Sequence, residues 1–273
     1  MVSSGVGTAG MRAVMSVRLR PLALPVEHGG WGFLFEPFLI GLIAAWSWAG
    51  LLLGLAALGV FLMRRPLKIA LTDLMAGRRL PRTPVAGAVA AGYALMAGGL
   101  GLMAARWAVH PFWIVVAIAA PPALAQFAYD ARGEGRRLLP ELIGPAALAG
   151  VAAAMALAAG RPLGEAIVLW TVAAMRTLPA IIGVRAQVQR LHGLPAPRWP
   201  TFVAHDAAVM LAVILAAAGW LRMWVVALLL LLAVRAMVQL RPAAPARRAQ
   251  AIGTRELVTG LVSAIVLGLL LRA

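Results

Sequence analysis

A chain of 273 residues that is 63% hydrophobic, only 12% charged and has a mean hydropathy of +0.90 carries more apolar surface than a water-soluble core can bury. Its formal net charge of +16 would point to nucleic acid in a soluble protein. Here the basic residues fall in short stretches between apolar runs of membrane-spanning length, which excludes nucleic acid as a partner and makes them topology signals. The absence of cysteine removes disulfide and thiol chemistry.

Residues 1–20 have no apolar core long enough for a cleavable signal and read as a loose cytosolic arm carrying Arg12, Arg18 and Arg20. The remainder, 21–273, reads as one transmembrane helical domain. Its apolar stretches recur at 31–48, 49–63, 84–105, 111–129, 138–160, 163–183, 199–219, 221–240 and 254–272, which predicts an all-α bundle of nine spans. Long cytosolic segments are expected near 64–84 and 175–198. Of the 25 basic residues, all but Arg106, Arg161, Arg222 and Arg272 then fall on the side of the N-terminus. The positive-inside rule places that side in the cytosol and the C-terminus outside. Connections on the outer side are short and several carry Trp, as at "WSWAG" and "GWLRMW", so chemistry is expected to face the cytosol.

Depth picks out a smaller set of residues. Arg176 lies 13 residues into the sixth span, about 20 Å from its outer end and roughly 10 Å inside a 30 Å apolar core. His205 and Asp206 reach a similar depth from the inner side, and Glu36, Glu141 and Arg235 also occupy inner halves of spans. Ionisable groups at that depth are costly and face a cavity or one another, so a polar funnel open to the cytosol is expected. Bland readings stand beside this one. Arg64, Arg65, Arg78 and Arg79 are placed to snorkel towards anionic headgroups. Glu36 before Pro37 also suits a helix start.

A weak internal duplication runs through the chain. "RRPLKIALTDLMAGRRLPRTP" at 64–84 parallels "MRTLPAIIGVRAQVQRLHGLPAP" at 175–197, and "FEPFLIG" parallels "LPELIG", each pair four spans apart. Repeats of this kind place a binding site between halves.

Nine spans with long cytosolic segments after spans two and six resemble the UbiA superfamily of intramembrane prenyltransferases. The resemblance implies a ring of helices around a central cavity and aspartate-rich motifs that hold magnesium on a substrate diphosphate. In "LTDLMAGRRLPRT", Asp73 matches one motif aspartate, while Thr72, Ala76 and Leu80 stand at the other positions, and "IIGVRAQVQRLHG" has no carboxylate. One acid in two motifs is a poor magnesium site, so neither metal nor other cofactor is expected. "PVEHGGW" with Pro37 and Gly41, "RRP" at 64–66, "YDARGEGRRLLPELIG" and "MRTLPAIIGVRAQ" resemble the YwiC-like family of bacterial integral membrane proteins, from about residue 21 onward. That resemblance implies a multi-pass protein of the bacterial inner membrane.

These residues lead to the following expectations. An anionic lipid or isoprenoid-type ligand is held without metal by Arg65, Lys68, Arg176 and Arg185, with Glu36, Asp73, Glu141 and Asp206 in the same cavity. Glu27 and His28 form the available proton-transfer pair at its mouth. A salt-bridged rim that only holds the bundle together is the competing reading of the same charges. A diverged intramembrane transferase, a small-solute or anion transporter and a non-catalytic membrane partner protein all stay open at this point. Membrane lipids are the expected surroundings in each case.

Overall fold

A computed structural model describes residues 20–23, 30–78, 80–241 and 248–272. These residues form a bundle that is 83% helix. A short helical turn, Arg20–Ala23, precedes nine helices: α1 Gly30–Ala44, α2 Trp48–Met75, α3 Arg82–Trp107, α4 Trp113–Ala131, α5 Leu138–Ala158, α6 Leu163–Leu191, α7 Trp199–Ala217, α8 Met223–Gln239 and α9 Ala249–Leu270. Seven are long and apolar enough to cross a membrane, while α1 and α8, with 15 and 17 residues, are shorter. The chain is thus an all-helical, multi-pass membrane protein.

The helix ends follow from local sequence. Ser47, in extended backbone, accepts from Gly50 N at 2.9 Å and caps α2. Gly77, Gly133, Gly160, Gly193 and Gly219 take positive φ just past the ends of α2, α4, α5, α6 and α7, where a side chain would be strained. Helices α2 and α6 run on through the basic stretches 64–75 and 175–191, so those residues are helical extensions of the bundle.

Alanine explains the centre. Helix α5 is the most buried candidate span, and Ala149, Ala152, Ala153, Ala154, Ala156 and Ala158 form its core faces. Such small side chains let backbones approach closely. On α1, a Cβ at Gly41 would lie 3.1 Å from the Ala152 Cα, and on α2 a Cβ at Gly59 would lie 3.1 Å from Ala97 Cβ of α3. Helix α6 packs against α5, and α9 packs against α1 and α6. Helices α3, α4 and α7 lie at the periphery with apolar outer faces, exposing Leu95, Leu102, Ile118 and Ile214.

The two ends of the bundle differ. At one end the connections are short turns with exposed Trp46, Trp48, Trp107, Trp220 and Trp224. Arg161 staples this end by donating to the Ala44 carbonyl at 2.9 Å while pairing with Glu165 at 2.6 Å. The other end carries the basic stretches and nearly all the buried polar groups, and is called the basic end below.

Candidate functional site

Four helices each contribute one charge to the centre of the basic end. Helical rise alone puts Glu36 about 9 Å into α1, Glu256 about 10 Å into α9 and Arg235 about 6 Å from the end of α8. Arg176, in the middle of α6, turns inward to meet them. Its Nη2 lies 3.4 Å from Glu36 Oε1 and 3.2 Å from Glu256 Oε1, and its Nε donates to Ser263 Oγ at 2.7 Å. Glu256 Oε2 accepts from Arg235 Nη1 at 2.9 Å. Charge therefore alternates along the row Glu36, Arg176, Glu256, Arg235. Side-chain exposure is 2% for Arg176 and 6% for Glu36, against 22% for Arg235, so the row runs from a dry end to a wetter one. Alternation offsets the desolvation that single buried charges would incur.

Glycine makes the dry end fit. A Cβ at Gly260 would fall onto the Glu36 carboxylate and come within 2.9 Å of Arg176 Nη2. A Cβ at Gly32 would lie 3.2 Å from Glu36 Oε1. Thr177, beside Arg176, donates a long hydrogen bond of 3.4 Å to Glu36 Oε2.

At the wetter end a small cleft opens between α6, α7, α8 and α9, lined by Arg176, Gln187, His205, Arg235, Gln239 and Glu256 among apolar neighbours. Its internal space is about 20 Å³, room for about one water. The funnel expected from depth is therefore a packed ion-pair row with a narrow cleft. Large voids close up in such interiors because the inward side chains pair with one another. In the neutral ring, His205 Nδ1 donates to the Thr201 carbonyl at 2.9 Å, which leaves Nε2 as the acceptor edge.

The other expected site residues are dispersed. Asp206 does not join Arg176. On α7 the buried positions are Thr201, His205, Ala208 and Ala212, and Asp206, one residue on from His205, is turned about 100° onto the exposed face. The nearly all-apolar α7 gave no amphipathic phase from which to read this. Lys68 is exposed and Arg65 donates to the Pro21 carbonyl at 2.7 Å, both away from Arg176. Arg185 pairs with Glu141 and donates to the Arg136 carbonyl at 3.0 Å, which joins α5 to α6. Glu27 and His28, the proposed proton-transfer pair, lie outside the described residues.

Asp73 tests the magnesium that a UbiA-type fold implies. Arg82 clamps its carboxylate with Nε at 3.0 Å and Nη2 at 2.8 Å, and Thr83 Oγ1 donates to it at 3.0 Å. Both oxygens are engaged by this chain's own donors, and no group of three or more His, Cys, Asp or Glu side chains converges among the described residues. These residues do not fit a magnesium ion.

Two further participants escaped the sequence reading. Glu256 follows Arg255 near the start of the apolar stretch 254–272 and was not singled out, but α9 begins at Ala249 and carries it two turns inside. Its spacing with Gly260, Ser263 and Leu267 along one buried face was the available signal. Asp130, buried, accepts from half-buried Arg64 at 2.5 and 3.1 Å and ties α4 to α2.

No curated protein and no solved structure matches the chain. Residues 24–159 match the model of a family described as YwiC-like protein. That segment supplies Glu36, Asp73, Asp130 and Glu141, while Arg176, Arg235 and Glu256 lie beyond it. By this match the chain belongs to the YwiC-like family.

Proposed function

We propose that this protein binds an anionic lipid or isoprenoid-type molecule at the cytosolic side of the bacterial inner membrane, as a diverged relative of UbiA-type prenyltransferases that works without magnesium. In this reading all nine helices span, with the N-terminus in the cytosol and the C-terminus outside. The basic end then faces the cytosol, and the headgroup enters beside α8 and α9.

One observation carries the reading: the row Glu36, Arg176, Glu256, Arg235 ends in a small polar cleft lined by Arg235, Gln187, His205 and Gln239. A purely structural ion-pair row has no need of a polar cleft at its end. Guanidinium groups suit anionic headgroups, and a site at the end of a short apolar helix lies at headgroup level.

Mass spectrometry of lipids that stay bound through purification tests it. An anionic or isoprenoid species enriched over the surrounding membrane, and lost in Arg235→Gln, is expected. Recovery of bulk membrane composition alone, unchanged by that substitution, would remove the reading.

A further inference from the structure

Every other carboxylate among the described residues pairs with an arginine. Asp206 has neither a hydrogen bond nor an ion pair among the described residues. It lies seven residues, about 10 Å, from Trp199 at one end of α7 and eleven residues, about 16 Å, from Ala217 at the other. Helix α7 is long and apolar enough to cross a membrane, so the acid falls well inside the apolar layer. There its side chain is exposed among Phe202, Val203 and Met210, each more than half exposed. Ionisable groups at such depth face a cavity or pair with an opposite charge. The cleft beside Arg235 is on the His205 face of α7, away from this one.

The surroundings of Asp206 suit a helix. Helix α7 packs against α6 and α8, and the rest of its surface is open. On that surface Val203, Asp206, Met210, Val213 and Ala217 follow one another in alternate steps of three and four residues, all exposed. This is the spacing with which one helix seats along another.

A second copy of the chain does not supply the missing charge. Copies in one membrane share a topology, so a partner cation must lie at the depth of Asp206. The exposed cations of the described chain sit at or beyond helix ends, as Arg106 and Arg222 do, apart from Lys68. Lys68 is twenty residues, about 30 Å, from Trp48 at the start of α2, against about 16 Å for Asp206 from the corresponding end of α7. A two-fold dimer on α7 would instead set Asp206 against its own mate.

We infer that the outer face of α7 docks a transmembrane helix of a different membrane protein, one that carries a Lys or Arg at the depth of Asp206. The apolar seam supplies contact area, and the ion pair sets register and rejects helices that lack the cation. This surface is separate from the cleft at α8 and α9 and does not depend on the ligand reading above.

The chain lacks cysteine, so a single one added after Ala273 takes a donor fluorophore. The full chain is reconstituted in phosphatidylcholine vesicles with an acceptor-labelled polyleucine helix of about 20 residues that carries one central Lys, Leu or Asp. The Lys helix is expected to associate at least about tenfold more tightly than the Leu helix, the scale of one strong polar contact between membrane helices. Asp206→Asn is expected to erase that preference while melting no earlier than the native chain. Asp206→Lys is expected to transfer the preference to the Asp helix. Equal association of the Lys and Leu helices with the native chain overturns the proposal, as does a preference that survives Asp206→Asn. Donor- and acceptor-labelled native chains mixed without peptide complete the test. Energy transfer between them that Asp206→Asn abolishes assigns the face to a second copy and overturns the proposal too.

Discussion

Arg176 Nη2 stands 3.4 Å from Glu36 and 3.2 Å from Glu256, so one guanidinium in α6 holds the first and last of the nine helices together. Breaking a buried pair by removing one partner strands the other charge, which costs about 3–5 kcal/mol. Arg176→Ala strands the Glu36 carboxylate and leaves Glu256 with Arg235 alone. Arg198, at the start of α7, is only half-buried, and losing it costs about 1 kcal/mol or less. Thermal melts in detergent should therefore separate Arg176→Ala from Arg198→Ala by many degrees. Equal tolerance of the two would show that the row does not hold the bundle.

Glycine at 260 is a second handle on the same contact. A methyl there meets the Glu36 carboxylate and the Arg176 guanidinium, and both are fixed by their other partners. Overpacking of this kind costs roughly 1–3 kcal/mol. Gly98, on α3, has nothing within 4 Å of its would-be Cβ, so alanine there should be neutral or stabilising by up to about 1 kcal/mol. Gly260→Ala should lower the melting temperature, while Gly98→Ala should leave it unchanged or raise it.

The clamp on Asp73 yields a prediction about metal. Because Arg82 and Thr83 already engage both oxygens, Asp73→Asn should lower stability by about 1 kcal/mol, the exposed guanidinium limiting the loss. That loss should be the same with magnesium or with a chelator present. A magnesium-dependent melt that disappears in Asp73→Asn would contradict the clamp.

Helix positions were legible in the sequence because each apolar stretch is bounded by Gly, Pro or clustered charge, and each of the nine stretches falls on one of the nine described helices, although α2 and α6 run on well past theirs. Depth along a helix was legible too, and it singled out Arg176 and Glu36. Phase around the helix was not. His205 and Asp206 are neighbours at one depth, yet only His205 is buried, and nothing in the apolar sequence of α7 says which faces inward. Partner choice was equally hidden. Arg176 takes Glu256 because α9 starts earlier than its apolar stretch, and Arg185 takes Glu141 at a separate place on the rim.

Orientation follows from charge asymmetry and is open to direct test. The basic end carries the connections that include Gly133, so a reporter inserted there should read as cytosolic. A reporter fused after Ala273 should read as external. A cytosolic signal from the second fusion would mean that α1 or α8, the two shorter helices, does not span.

The separation of Asp206 from Glu256 gives the sharpest contrast between depth and contact. Both are acids well inside apolar helices, and depth alone would rank them together. Glu256 accepts from Arg176 and Arg235, whereas Asp206 lies on the exposed face of α7. Glu256→Gln leaves two guanidinium groups without their shared counter-charge, and a loss of roughly 3–5 kcal/mol is expected, as for other severed buried pairs. Asp206→Asn removes a charge that faces the apolar surroundings of the bundle, where an ionised carboxylate costs about 2.5–3.5 kcal/mol at mid-span and less towards the interface. It should therefore leave Tm unchanged or raise it. Parallel melts of the two variants in one detergent read the difference directly. A matching loss in Asp206→Asn would show that this carboxylate has a partner on the outer face of α7 and would return it to the set of paired charges.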